Sequence, residues 1–425
     1  MAKFLNYAKQ LAKQSRVIVL GATLTLGGCS TLPDWMNPVT WFEDEEELEI
    51  KRLDPIDAKF TPTLRWDENI GSGVKYYFSR LQPAVAYGKV FAASRQGEVA
   101  AFDKDTGKEL WKFNLAEFRD EGVFKSVSQL WSDGISAKIS GGIVASYQSI
   151  FFGTENGVVF AVDAETGEIK WQADVRGEVL AKPAVDEGLV LVNTGSGFMH
   201  ALDADTGEEQ WAYESEVPAL SLRGIAAPTI SNGGAIVGTA SGKIVVNIID
   251  SGQNLWEQTI AAAAGTTELE RIVDIDSQTI VFGGIVYAVS FNGTLAALEL
   301  RTGRTIWKRE YKAYRRMSLD GNTLFVVDEQ SQVYALDRRN GVELWSQAGL
   351  RGRSLTGATP VKDYVVVGDK FGYLHWLEQE SGEIVARYSV GSNDEDDAIF
   401  SAPVADNDIL YSTTRDGQIV SIETP

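Results

Sequence analysis

The chain has 425 residues and a formal charge of −20, and Lys3, Lys9, Lys13 and Arg16 stand without any acid in the first 28, which leaves −24 for the remainder. That balance argues against nucleic-acid binding, which sets Lys and Arg against phosphates. The single cysteine, Cys29, rules out an internal disulfide and a thiolate cluster.

In chain order, residues 3–16 form a basic segment and residues 17–26 an apolar one too short to span a bilayer. Leu26-Gly27-Gly28-Cys29 then matches the bacterial lipobox. Residues 1–28 are therefore expected to be a lipoprotein signal peptide, with Cys29 acylated; Ser30 in place of Asp resembles lipoproteins sent to the outer membrane. More than one acyl chain gives stable anchoring. Residues 29–59 are Pro-containing and acidic, with the run Glu43-Asp44-Glu45-Glu46-Glu47, and are expected to tether lipid to a folded domain over 60–425.

From residue 83 onward one pattern repeats. A small residue and Gly precede Trp by four positions in six copies ending at Trp111, Trp171, Trp211, Trp256, Trp307 and Trp345, and Ala386 replaces Trp in a seventh. The motif glycines lie 38–60 residues apart. Self-similarity near 40 residues marks a repeat architecture. Ten residues upstream of each motif Gly stands another Gly, with Ser331 as the one exception. Alternating apolar stretches such as Val158-Val159-Phe160-Ala161-Val162-Asp163 run between the two, which is strand chemistry. Each unit thus offers four short strands, A to D, with Asp-x-x-Thr-Gly as the C–D hairpin turn and Trp on strand D.

Four-stranded units of this length suit an all-β propeller, whose blades bury their faces only by stacking. Trp at one register per unit is expected to pack on the neighbouring blade. Gly417 begins an eighth strand C, and the matching strand D is expected from the other end of the chain, where Thr61-Pro62-Thr63-Leu64-Arg65-Trp66 ends in Trp66. The expectation is an eight-bladed ring closed by pairing the N-terminal strand with the C-terminal blade; seven blades is the alternative.

Recurrence also sorts the candidate chemistry. Asp103-Lys104-Asp105-Thr106-Gly107 resembles the start of a calcium loop, but the downstream acidic ligand is absent and the segment recurs where a turn is needed. His200 and His375 occupy the same strand C register on well-separated blades, so neither a catalytic dyad nor a zinc site is expected. Quinone-dependent dehydrogenases share the Gly-x-x-x-Trp pattern, but the adjacent Cys pair typical of them is missing. No cofactor, metal or catalytic residue is expected. A generic ligand-binding propeller remains a further alternative.

The register breaks in two long D–A connections. Trp211 to Pro228 carries Leu220, Leu222 and Arg223, and the chain after Trp256 carries Asp274 and Asp276. They serve adjacent blades and should lie side by side on one rim, where an Arg anchor beside leucines suits a protein interface. The insertion at 125–139 is another irregularity, with no assigned role.

In these loops the chain resembles the BamB family, lipoproteins of the outer-membrane β-barrel assembly machinery. The resemblance spans nearly the whole mature chain: the lipobox, the Trp66 strand, Leu220-Ser221-Leu222-Arg223-Gly224, Thr266-Thr267-Glu268-Leu269-Glu270-Arg271 with Asp274 and Asp276, and Gly372-Tyr373-Leu374-His375-Trp376. Ala386 departs from the Trp pattern of the blades, and the acidic stretch at 43–49 lies outside the family's pattern. The resemblance implies a non-catalytic scaffold at the periplasmic face of the outer membrane. It would bind a POTRA domain of BamA through residues matching Leu220, Leu222, Arg223, Asp274 and Asp276 and assist insertion of β-barrels. Unfolded outer-membrane proteins are a candidate further partner.

Overall fold

A computed structural model of the chain describes residues 45–77, 79–116, 135–222, 224–264, 266–392 and 394–425. The expected signal peptide, Cys29 and tether residues 29–44 lie outside the described residues, as does the 125–134 portion of the insertion. A seven-residue helix, Glu45–Lys51, precedes the strands.

The unit Ile50–Pro425 is built from eight four-stranded antiparallel sheets. In seven of them the four strands follow one another in sequence, as in the sheet of Ala184–Asp186, Leu189–Asn193, Phe198–Asp203 and Glu209–Glu214. The eighth consists of Val404–Asp406, Ile409–Thr413 and Gln418–Glu423, completed by Thr63–Asn69 from the other end of the chain. Trp66 faces Ser421 in that pairing. The ring is therefore an eight-bladed propeller closed as the repeat predicts.

The repeated residues act at the seams between blades. One apolar cluster fills each seam, for example Phe151, Val159 and Trp171 of the second blade with Val190, Val192 and Leu202 of the third. Each motif Trp lies on the motif Gly of the next blade. A Cβ on Gly207 would sit 2.7 Å from the ring of Trp171, and one on Gly303 2.8 Å from Trp256. These glycines also have positive φ, 76° and 70°, so both space and backbone demand Gly. The indole N–H adds a hydrogen bond to the next blade: Trp171 Nε1 donates to Ala204 O at 3.0 Å, and Trp211 Nε1 to Ile249 O at 2.6 Å.

This geometry explains Ala386. Its blade faces the eighth, whose strand D is Thr63–Asn69, so no C–D turn glycine waits there for an indole. At that seam Trp376, from strand C, is fully buried and donates Nε1 to Thr424 Oγ1 at 3.0 Å.

The Asp-rich segments are hairpin turns. Asp103 Oδ1 accepts from the amides of Asp105 and Thr106 and from Thr106 Oγ1. These bonds, led by the Thr106 hydroxyl, hold its carboxyl below the usual range. Ser331, which replaces the upstream glycine, takes the same positive φ at 69°. The two histidines sit on separate sheets. His200 Nδ1 donates to Glu209 Oε2 at 2.6 Å while its Nε2 accepts the Arg176 amide, and His375 Nε2 lies 2.9 Å from Asp369 Oδ2.

Residues 50–59, assigned from sequence to the tether, lie against the ring. Arg353 donates to Ile50 O and Lys51 O, Arg387 to Asp54 O, and the Lys59 amide to Val385 O.

Candidate functional site

The two long D–A connections meet as the register break predicts. The segment Asp274-Ile275-Asp276 is threaded between the B–C turns of two adjacent blades: Ile275 N donates to Thr239 O, and Phe291 N to Asp274 O. From there Asp274 Oδ1 accepts the amide of Leu222 at 3.1 Å. Gly224 passes so close to Asp276 that a Cβ there would meet its Oδ2 at 2.0 Å. One loop is thus bonded by Asp274 and packed against Asp276 of the other.

That places the five predicted residues differently from one another. Leu220 is 42% exposed and Leu222 half-buried. Asp274 and Asp276 are buried, and Asp274 Oδ2 has no hydrogen-bond partner among the described residues. Arg223 lies outside the described residues. The sequence pattern suggested an exposed patch with charges of both signs; the structure instead puts the two carboxylates under the leucine loop, where they set its course.

Leu269, quoted from the sequence only as part of the run at 266–271, is a further exposed apolar residue on the second connection. Thr266 and Thr267 donate their amides to Glu270 Oε2, closing a turn that leads into the short 3-10 helix Leu269–Arg271. That turn leaves Leu269 73% exposed. A leucine inside an otherwise polar turn is the available signal. Between the Leu222 loop and the neighbouring blade lies a cleft of about 280 Å³ bordered by Glu178, Asn193, Glu216, Val217, Leu222 and Asp276. Among the described residues no cluster of His, Cys, Asp and Glu is arranged to hold a metal ion.

Burial has a measurable consequence at Asp274. Desolvation, with the neighbouring Asp276 charge second, pushes its carboxyl up from 3.8 to about 7. Between those values the folded chain holds a proton that the unfolded chain has released, so this group's contribution to stability falls as pH rises. Asp274→Asn keeps an acceptor for the Leu222 amide and abolishes the titration. Relative to that variant, the wild type is expected to lose on the order of 1–3 kcal/mol between about pH 4.5 and pH 7.5, read from paired urea melts. A difference that stays constant with pH would show that Asp274 is ionised throughout.

Comparison with known proteins supplies context. A family model described as outer membrane protein assembly factor BamB matches residues 61–124 and 95–347. The outer membrane protein assembly factor BamB of Alteromonas naphthalenivorans is 54% identical over 407 residues, covering 96% of each chain. The crystal structure of BamB from Moraxella catarrhalis superposes with a TM-score of 0.73 at 26% identity, covering 85% of this chain and all of that one. The quinohemoprotein alcohol dehydrogenase from Comamonas testosteroni superposes with a TM-score of 0.64, covering 85% of this chain and 76% of its own, but at 14% identity, a likeness of fold alone.

Proposed function

The chain belongs to the family of outer membrane protein assembly factor BamB, and we propose that it is a non-catalytic scaffold of outer-membrane β-barrel assembly, docking a periplasmic POTRA domain of BamA on the rim formed by its two long D–A connections. The observation that carries this reading is the interlock of those connections. The loop with Leu220 is fixed by a hydrogen bond from Leu222 N to Asp274 Oδ1, so exposed Leu220 and Leu269 stand on a preorganised surface. Preorganisation lowers the ordering cost of association, and apolar anchors beside an Arg are the usual carriers of interface energy. In this reading Leu220, Leu222 and Arg223 meet the partner, while Asp274 and Asp276 shape the loop. Acylated Cys29 would hold the ring at the periplasmic face of the outer membrane, through an acidic tether.

The test reverses the surface without touching the buried carboxylates. Leu220→Asp with Arg223→Glu is expected to leave the fold and melting temperature intact and to weaken binding to BamA by on the order of 100-fold, two anchors at about 1–2 kcal/mol each. Co-purification with BamA from solubilised membranes reads the effect. Undiminished recovery of BamA with a folded double variant would move the interface off this rim.

A further inference from the structure

The strands A line the inner edge of the ring, and their entry points form its axial mouth. In seven blades strand A begins its pairing with strand B at an equivalent residue, such as Ala84 opposite Phe91, Ala184 opposite Leu191 and Ser318 opposite Phe325; in the second blade pairing starts earlier, at Ile139, and Val144 opposite Phe151 is the equivalent. Two residues earlier the eight blades place Lys182, Arg316, two glycines and four Gln or Ala, with no acid at any of them. The glycines stand beside the two cations. A Cβ on Gly142 would meet the Lys182 side chain at 3.0 Å, and one on Gly357 would meet Arg316 O at 2.4 Å. The narrow residue beside each long one leaves it room at the mouth.

These two cations share a cavity of about 90 Å³ with Arg80 and Arg315. Asp276 is the one carboxylate lining it among the described residues. Arg80 is fastened in place, its Nη1 donating to Asp276 O at 2.6 Å and reaching Ile225 O at 3.4 Å. Arg315 lies over the ring of Tyr314, 4.7 Å from its centroid. Lys182 and Arg316 have no carboxylate partner among the described residues. Desolvation, with the Arg316 charge second, pushes the Lys182 ammonium down to about 8. Four cations and one carboxylate line the cavity among the described residues, a positive site in a chain of net charge −20. Arg316 is exposed and Lys182, Arg80 and Arg315 are part-buried, so the cations stand open to an arriving anion. At ~30 Å³ per liquid water the cavity admits a few waters or one small oxyanion. Paired guanidinium forks and an ammonium are the groups that bind phosphate oxygens.

We propose that the axial mouth of the ring is an oxyanion site that takes a phosphate group, held by Lys182, Arg316, Arg315 and Arg80. It shares Asp276 with the cleft under the rim, but neither Leu220 nor Leu222 lines it. The phosphate arrives either as the free ion or as the end of a phosphate monoester entering the open side of the mouth.

Calorimetric titration of the purified full-length chain with sodium phosphate, against sodium chloride at equal ionic strength, tests it. Saturable binding of about one phosphate per chain is expected, weakening as pH rises through about 8, where Lys182 loses its charge. Lys182→Gln with Arg316→Gln should weaken that binding at least about tenfold, and phosphate should raise the melting temperature of the wild type but not of the variant. Arg351→Gln, an exposed control elsewhere on the ring, should change neither. Should the double variant fail to fold, Lys182→Gln alone carries the same comparison. Glycerol 3-phosphate separates the sources: binding there assigns the site to a phosphate monoester, and binding of inorganic phosphate alone assigns it to the free ion. Absence of saturable phosphate binding beyond the chloride control, or wild-type binding by the folded double variant, would overturn the proposal.

Discussion

Asp369→Ala is expected to destabilise the ring by about 3–5 kcal/mol, the cost of breaking a buried ion pair from one side. The carboxylate is fully buried and uses both oxygens. Oδ1 accepts the amides of Phe371 and Tyr373 at 2.9 Å each, and Oδ2 accepts Arg353 Nε at 2.6 Å and His375 Nε2 at 2.9 Å. Burial alone would raise its pKa, but His375, Arg353 and the Tyr373 amide hold it below the ordinary range. Burial pushes the His375 imidazole down, so His375 is neutral and donates Nε2–H. Without Asp369 the guanidinium of Arg353 is left in the interior with only its carbonyl and ring partners. Those carbonyls belong to Ile50 and Lys51, so the variant should also expose the 50–54 segment to trypsin at Lys51 and Arg52. Asp369→Leu combined with Arg353→Met removes both charges together and should recover much of the loss. A denaturant midpoint for Asp369→Ala equal to the wild type would mean that the network contributes no net stability.

The architecture was readable because its determinants are local and recur. Trp on strand D and Gly in the next C–D turn touch across every seam that has both, so spacing alone counted the blades. The missing strand D pointed to Trp66. What spacing could not supply was depth. Asp274 and Asp276 stood out because they broke the register, but an Asp in a long loop reads as solvated; only the threading of Asp274-Ile275-Asp276 between two B–C turns reveals that they lie beneath the Leu222 loop. The reverse failure occurred inside the repeat. A residue in register reads as scaffold, and for His200 that fits, since its partner Glu209 is on the next strand of the same blade. Lys182 and Arg316 are equally in register, yet eight equivalent positions converge on one axis, so cations that are far apart in sequence meet there. Convergence of that kind follows from closure of the ring, not from any one blade's sequence.

Closure itself gives the second large expected effect. A chain lacking residues 1–69 should lose its cooperative melt and associate, whereas a chain lacking only residues 1–59 should keep a folded, monomeric ring. The difference is the strand Thr63–Asn69, which pairs along Gln418–Glu423. Without it Gln418–Glu423 becomes an open sheet edge, a template for pairing with another copy. The strand also carries the seam to the first blade. Trp66 is buried, a Cβ on Gly107 would sit 2.8 Å from its ring, and its Nε1 donates to Lys104 O at 2.9 Å. Loss of a buried Trp alone costs about 3–5 kcal/mol, and here the ladder is lost with it. Because the strand is joined to the first blade only through residues 70–83, a synthetic peptide covering residues 60–69 should dock in trans and restore the melt and the monomer. The same peptide with Trp66→Ala should restore neither. A cooperative, monomeric melt for the chain without residues 1–69 and without added peptide would show that seven complete blades hold the eighth closed by themselves.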